Sequence, residues 1–238
     1  MRDFAEIWGY LASGPLVWLT ATLVAYVAGD SLSRALDRAP LANPVLIAVT
    51  LLAGMLWATD TPYPVYFEGA QFVHFLLGPA TVALALPLHA NLAQIRRAAL
   101  PLAAALIAGS ATAIASVILT ARALGIEGVT LISLVPKSTT APVAIGISES
   151  LGGSPTLTAV LVILTGITGA IFATPLLNLL RIRDWRARGF AVGVAAHGIG
   201  TARAFQVNDT AGAFAGIGMG LNAMLTALIA PALLRLLH

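Results

Sequence analysis

The chain has 238 residues, 58% apolar and 10% charged, with a mean hydropathy of +0.91 and no cysteine. Soluble domains are about 45–50% apolar and about 25% charged, so this composition excludes a water-soluble globule of this size and points to an integral membrane protein. Lack of Cys excludes disulfide frameworks, thiol catalysis and Cys-built zinc sites. The net charge of +3, carried largely by arginines in short loops, fits membrane orientation rather than a nucleic-acid-binding face.

No cleavable signal is expected, because residues 1–12 carry Asp3 and Glu6 and no small-residue processing site follows. Apolar runs then fall at residues 10–29, 41–59, 72–90, 100–121, 130–149, 156–180, 189–207 and 211–236. Each is long enough, or nearly so, to cross a hydrocarbon core of about 30 Å. The expected fold is therefore one all-α membrane domain over residues 1–238 with six to eight transmembrane or re-entrant segments. Residues 10–90 form a scaffold and a kinked helix, residues 100–207 a core, and residues 211–236 a final helix. Arg34 and Arg38, Arg96 and Arg97, and Arg181, Arg183, Arg186 and Arg188 mark loops on one side, while residues 60–71 hold only Asp60 and Glu68. The positive-inside tendency makes the arginine side cytoplasmic.

Within the first runs, Gly29, Ala42, Ala48 and Gly54 allow close helix packing, from which a homodimer is expected. Trp8, Trp18, Trp57, Tyr63 and Tyr66 read as interfacial belts. Gly78 and Pro79 should hinge the third run between His74 and His89, with Thr81 available to a freed carbonyl.

Orientation raises a parity problem further on. If the loop at residues 91–99 and the loop at residues 181–188 are both cytoplasmic, residues 129–154 must begin and end on one side. That segment, with Pro136, Pro142 and Gly152-Gly153, reads as two half-helices meeting at Pro136–Thr140. Residues 189–207 repeat the texture with Gly193, Gly198 and Gly200 around His197 and Arg203. Each interrupted segment follows a continuous helix, and those two helices point opposite ways, which predicts an inverted-repeat, elevator-transporter-like core. The alternative is that both broken helices cross completely.

An intramembrane charge costs at least ~2.5–3.5 kcal/mol on insertion scales, so Lys137 and Arg203 need an offset. Lys137 with the Ser138, Thr139 and Thr140 hydroxyls, half-helix N-termini and an opposing Arg203 would suit a small organic anion. The structural alternative is snorkelling, or pairing with Glu149 and Asp209. His197 and Glu149 are the groups in these segments suited to proton coupling, although His197 could equally be a helix-packing hydrogen-bond partner. Asn222 is a polar amide in the last run, able to bond across helices or to touch substrate. No phosphate loop, nucleophile elbow or H-E-x-x-H motif is present, so neither an enzyme nor a cofactor or metal is expected.

The blocks LLGPATVALALPL (76–88), VPKSTTAPVAIGISESLGG (135–153), LTAVLVILTGITGA (157–170), AHGIGTARAF (196–205) and GLNAMLTALIAP (220–231) closely resemble the LrgB/CidB family over residues 40–236. Lys137, Ser138, Thr139, Thr140, His197, Gly200, Thr201 and Arg203 match its blocks position by position. The resemblance implies a multi-pass bacterial inner-membrane protein, holin/antiholin-like and linked to murein hydrolase export and lysis, with a smaller LrgA/CidA-type partner. A similar part of a plant plastid transporter exports glycolate and imports glycerate, and some bacterial members resemble pyruvate transporters. Two readings result: a secondary transporter of small monocarboxylates by alternating access, with Lys137, Ser138, Thr139, Thr140, Gly200, Thr201, Arg203 and Asn222 at the substrate, or a holin-like pore or regulator.

Overall fold

A computed structural model describes residues 14–76 and 92–236, with Pro79, Val82 and His89 between them. Gly78 lies outside the described residues, and so does the expected hinge. Among the described residues every regular element is an α-helix. The chain divides into two compact units, residues 1–81 and 82–238.

In the first unit α1 (Pro15–Ala35), α2 (Pro44–Ala58) and α3 (Tyr63–Phe75) follow one another. Asn43 caps α2 by accepting from the Val45 and Leu46 amides at 2.9 and 3.1 Å, with Pro44 pre-set at the first helical position. Asp30 pairs with Arg34 one turn on and with Arg38 at 3.3 Å. Contrary to the belt expectation, Trp18 is fully buried, its ring edge-on to Tyr66 at 5.9 Å. The Tyr66 hydroxyl also meets Thr22 at 3.2 Å. Trp18 thus joins α1 to α3, whereas Trp57 and Tyr63 are exposed. The small residues cited for a dimer are used internally: a Cβ on Gly29 would strike the Pro44 carbonyl oxygen at 2.6 Å, and Ala42 and Ala48 are buried. Gly54 alone of the four faces open space.

The second unit contains α4 (Leu92–Arg97), α5 (Ala99–Ala123), α6 (Gly128–Leu134), α7 (Ala141–Ser150), α8 (Pro155–Leu179), α9 (Trp185–Val207) and α10 (Asp209–Leu236). Among the described residues α1, α5, α8 and most of α10 are long and apolar enough to span a membrane. At 1.5 Å per residue, the 25-residue α5 and α8 are each about 37 Å long. The shorter pieces double back on themselves.

The Thr158 hydroxyl lies 3.2 Å from the Ser133 carbonyl, to which it donates, and 2.7 Å from the Ser148 hydroxyl, from which it can accept. In one straight helix those two residues would stand about 22 Å apart. Residues 128–150 therefore form a helical hairpin, α6 and α7 being its arms and Lys137–Thr140 its tip.

The single run from Trp185 to Val207 bends likewise. Ala196 (φ −131°, ψ 17°) and His197 (φ 41°, ψ −136°) leave helical geometry. Val192 before the break and Ala204 after it share one apolar cluster with Leu177, Ala211 and Ala215, and Trp185 and Val207 line the same crevice. A straight rod of this length would hold its ends about 33 Å apart.

The two hairpins open toward opposite ends of α8. The first sits by Thr158 near the start of α8, and the second packs its arms on Leu177 near the finish. Close approach is achieved with glycine: a Cβ on Gly193 would meet the Ala215 carbonyl oxygen at 2.0 Å, and one on Gly169 would meet the Ala196 Cβ at 2.2 Å.

Candidate functional site

Asn222 stands at the middle of α10 and is only 1% exposed. Its amide nitrogen donates to the Ser138 carbonyl at the first hairpin tip (3.2 Å) and to the Val194 carbonyl just before the second break (3.0 Å). Its oxygen accepts from Ser110 of α5 at 2.6 Å and from Thr226 at 3.3 Å. One side chain therefore gathers both hairpins, α5 and α10 near the midpoints of the long helices. At this junction α7 and the second arm of α9 begin, so two helix N-termini, with their unsatisfied N–H groups, lie close to one node.

Lys137 is half-buried at the first tip. Its ammonium makes no hydrogen bond or ion pair with any described residue. Instead Lys137 and Ser138 line a cleft of about 920 Å³ between α5 and α9, which runs to Arg97, Asp184 and Arg186. That volume is of the order of small-molecule sites, ~300–1,000 Å³. Pairing of Lys137 with Glu149 is excluded by position, because Glu149 is exposed in the last turn of α7. Thr139 is buried, its hydroxyl donating to the Pro136 carbonyl at 3.0 Å. Thr140 caps α7 only through its backbone, and its buried Oγ1 has no hydrogen-bond partner among the described residues.

At the second tip, His197 Nε2 lies 2.8 Å from the Val162 carbonyl, and a Cβ on Gly166 would collide with its ring at 2.6 Å. The histidine is thus wedged against α8 in a positive-φ conformation that L residues rarely adopt. Thr201 donates to the His197 carbonyl at 2.7 Å, a back-bond across one turn of the second arm, and Gly200 lies against Ala196 and Val192.

The structure does not bring Arg203 to Lys137. Arg203 lies in a crevice of about 20 Å³ with Trp185 and Arg188, between the hairpin's own arms, and Nη1 donates to Gln206 at 3.2 Å. The helix after the break turns this residue toward the first arm, away from the cleft. Of the expected substrate contacts, Lys137 and Ser138 line the large cleft; Gly200, Thr201 and Arg203 do not. The buried Ser133, Ser148 and Thr158 cluster was not singled out from sequence. Its signal is three hydroxyls within an apolar stretch that must fold back on itself.

At the cleft mouth, Asp184 caps α9, accepting from the Arg186 amide at 2.8 Å and from its guanidinium at 2.8 and 3.1 Å. Arg186 holds this carboxyl down to about 2, from an ordinary 3.8. Arg188 is buried, bonded to Asn178 (2.8 Å) and the Ile182 carbonyl (3.0 Å), and stacks over Trp185 at 4.8 Å.

A family model described as the LrgB-like family matches residues 22–236. YwbG and YxaC of Bacillus subtilis (strain 168) are each 34% identical, covering 92% and 94% of this chain and 97% and 96% of their own lengths. The holin-like protein CidB of Staphylococcus aureus (strain N315) is 32% identical over 94% of this chain and 97% of its own. No solved structure matches. With helices fit to span a membrane and nearly end-to-end likeness to these proteins, the chain is a multi-pass bacterial membrane protein and belongs to the LrgB-like family.

Proposed function

We propose that this protein carries small monocarboxylates such as glycolate, glycerate or pyruvate across the membrane by alternating access. The observation that carries this reading is the Lys137 ammonium, without a protein counter-ion among the described residues, at the lip of a 920 Å³ cleft where two hairpin tips meet. A carboxylate at Lys137 would offset the cost of holding the charge at that depth. Freed amides and two helix N-termini would add partial positive charge. Oppositely opening hairpins flanking α8 support an inverted-repeat core whose movement against the remaining helices would expose the site to each side in turn.

The name of the CidB relatives favours a second reading, a holin-like pore or regulator working with an LrgA/CidA-type membrane partner. On the names alone it is the better supported. A pore wide enough for large solutes would have no use for a single midplane cation, which is why geometry favours the first.

Purified protein in liposomes loaded with a large impermeant dye separates the two. The transporter reading expects saturable uptake of labelled carboxylate with the dye retained. Dye release without saturable uptake establishes the holin-like reading instead.

A further inference from the structure

Two clefts reach Lys137. Besides the one already described, a second of about 360 Å³ is lined by Thr120, Leu124, Ile126 and Leu134, and among the described residues the two share Ser116 and Lys137 alone. One row of lining positions runs along α5 to its C-cap, Ala105, Gly109, Ala113 and Ser116 in the first cleft with Pro101 and Leu102 before them, then Ser116, Thr120 and Leu124 in the second with Val117 and Ala121 beside them. Spacings of four and three residues keep them on one face. From Ala105 to Leu124 the helix rises about 28 Å, close to the hydrocarbon thickness of about 30 Å. The first cleft ends beside Arg97 and Arg186, and the second ends beside the turn at Gly125–Glu127 that leads to the opposite mouth of the first hairpin.

We propose that the anion's route is this single face of α5, an inner and an outer cleft separated at Ser116 and Lys137, with the Lys137 ammonium presented to one cleft and then the other. The inference takes its cargo from the function proposed above; the existence of the wet route stands separately. Lysine suits the task because its charge rides on a flexible four-carbon stem. Among the described residues the outer cleft is lined by no other charged side chain, so an anion leaving Lys137 toward that side meets hydroxyl and apolar groups. Release is therefore not opposed by a second cation.

The cysteine-free chain allows a direct test in oriented membrane vesicles with anionic and cationic membrane-impermeant thiol reagents. Ala105→Cys and Ala113→Cys should react only from the arginine-bearing side, Thr120→Cys only from the other, and Ser116→Cys slowly from both. Ile107→Cys and Leu119→Cys, exposed but off both clefts, should stay unreactive as lipid-facing controls. At Ser116→Cys the anionic reagent should outpace the cationic one, and Lys137→Gln should abolish that preference. The proposal is overturned if Ala105→Cys, Ala113→Cys and Thr120→Cys are as inert as the controls, or if the charge preference survives Lys137→Gln. Labelling as expected in protein that passes no carboxylate would sink the transport reading and leave the route standing.

Discussion

At the scale of single residues, charge and hydrogen bonding divide the site between a group that faces the cleft and groups that hold it in place. Lys137 has no hydrogen-bond or ion-pair partner among the described residues, so Lys137→Met should leave thermal stability near wild type while removing uptake. Asn222 is the converse. Replacing it with Ala leaves Ser110, the Ser138 carbonyl and the Val194 carbonyl without their partner. Orphaned buried groups cost about 1–3 kcal/mol each in soluble proteins, and membrane pairs average nearer 0.6 kcal/mol, so a total of about 2–4 kcal/mol is expected by unfolding in detergent. An unchanged midpoint would remove Asn222 from its place as the clasp.

Asp184 gives a pH prediction at the same scale. Its folded value lies below its ordinary one, so its contribution is full above about pH 4 and disappears as pH falls through about 2. Asp184→Ala should therefore destabilise α9 modestly at pH 5, within the ~0.5–2 kcal/mol of a lost cap, and match wild type near pH 1. Both partners are exposed, which keeps the effect toward the small end. Sequence revealed the cation and the amide because both are expensive in lipid, but not which groups the Asn222 amide joins. Arg203 was misplaced because a broken helix resets its phase, and spacing alone cannot say which way the second arm faces. Trp18 misled because an aromatic near the start of an apolar run looks the same against headgroups or against Tyr66.

At the scale of elements, the hairpins rest on glycine contacts and on the Ser133–Ser148–Thr158 cluster. Gly193→Ala would drive a methyl into the Ala215 backbone, overpacking of a kind that costs typically 1–3 kcal/mol. Gly54→Ala, with open space around it, should be neutral or slightly stabilising. Equal loss of folded yield for the two would contradict the packing described for α9 and α10. Both interruptions could be read from Pro and Gly texture together with the orientation of the arginine loops. Doubling back of residues 129–154 followed from counting sides, and that of residues 189–207 from the repeated glycine texture. What pins the arms together, hydroxyls at Ser133, Ser148 and Thr158, was illegible because Ser and Thr are common in membrane helices and pair only once the fold is closed.

At the scale of the whole molecule, composition alone established the membrane class, and the family blocks agree with the LrgB-like match. Gly29, Ala42 and Ala48, three of the small residues from which a dimer is expected, are packed within the first unit. Topology is testable with two exposed positions. Glu149→Cys and Arg183→Cys should label from opposite faces of the membrane, and labelling from one face would break the oppositely opening arrangement. The most direct test of the central claim is carboxylate binding to purified protein, read as a ligand-dependent rise in melting temperature, since a ligand stabilises only the state that binds it. The account predicts a saturable rise with glycolate, glycerate or pyruvate that is retained in Arg203→Ala and absent in Lys137→Met. An equal rise in Lys137→Met and wild type would contradict it.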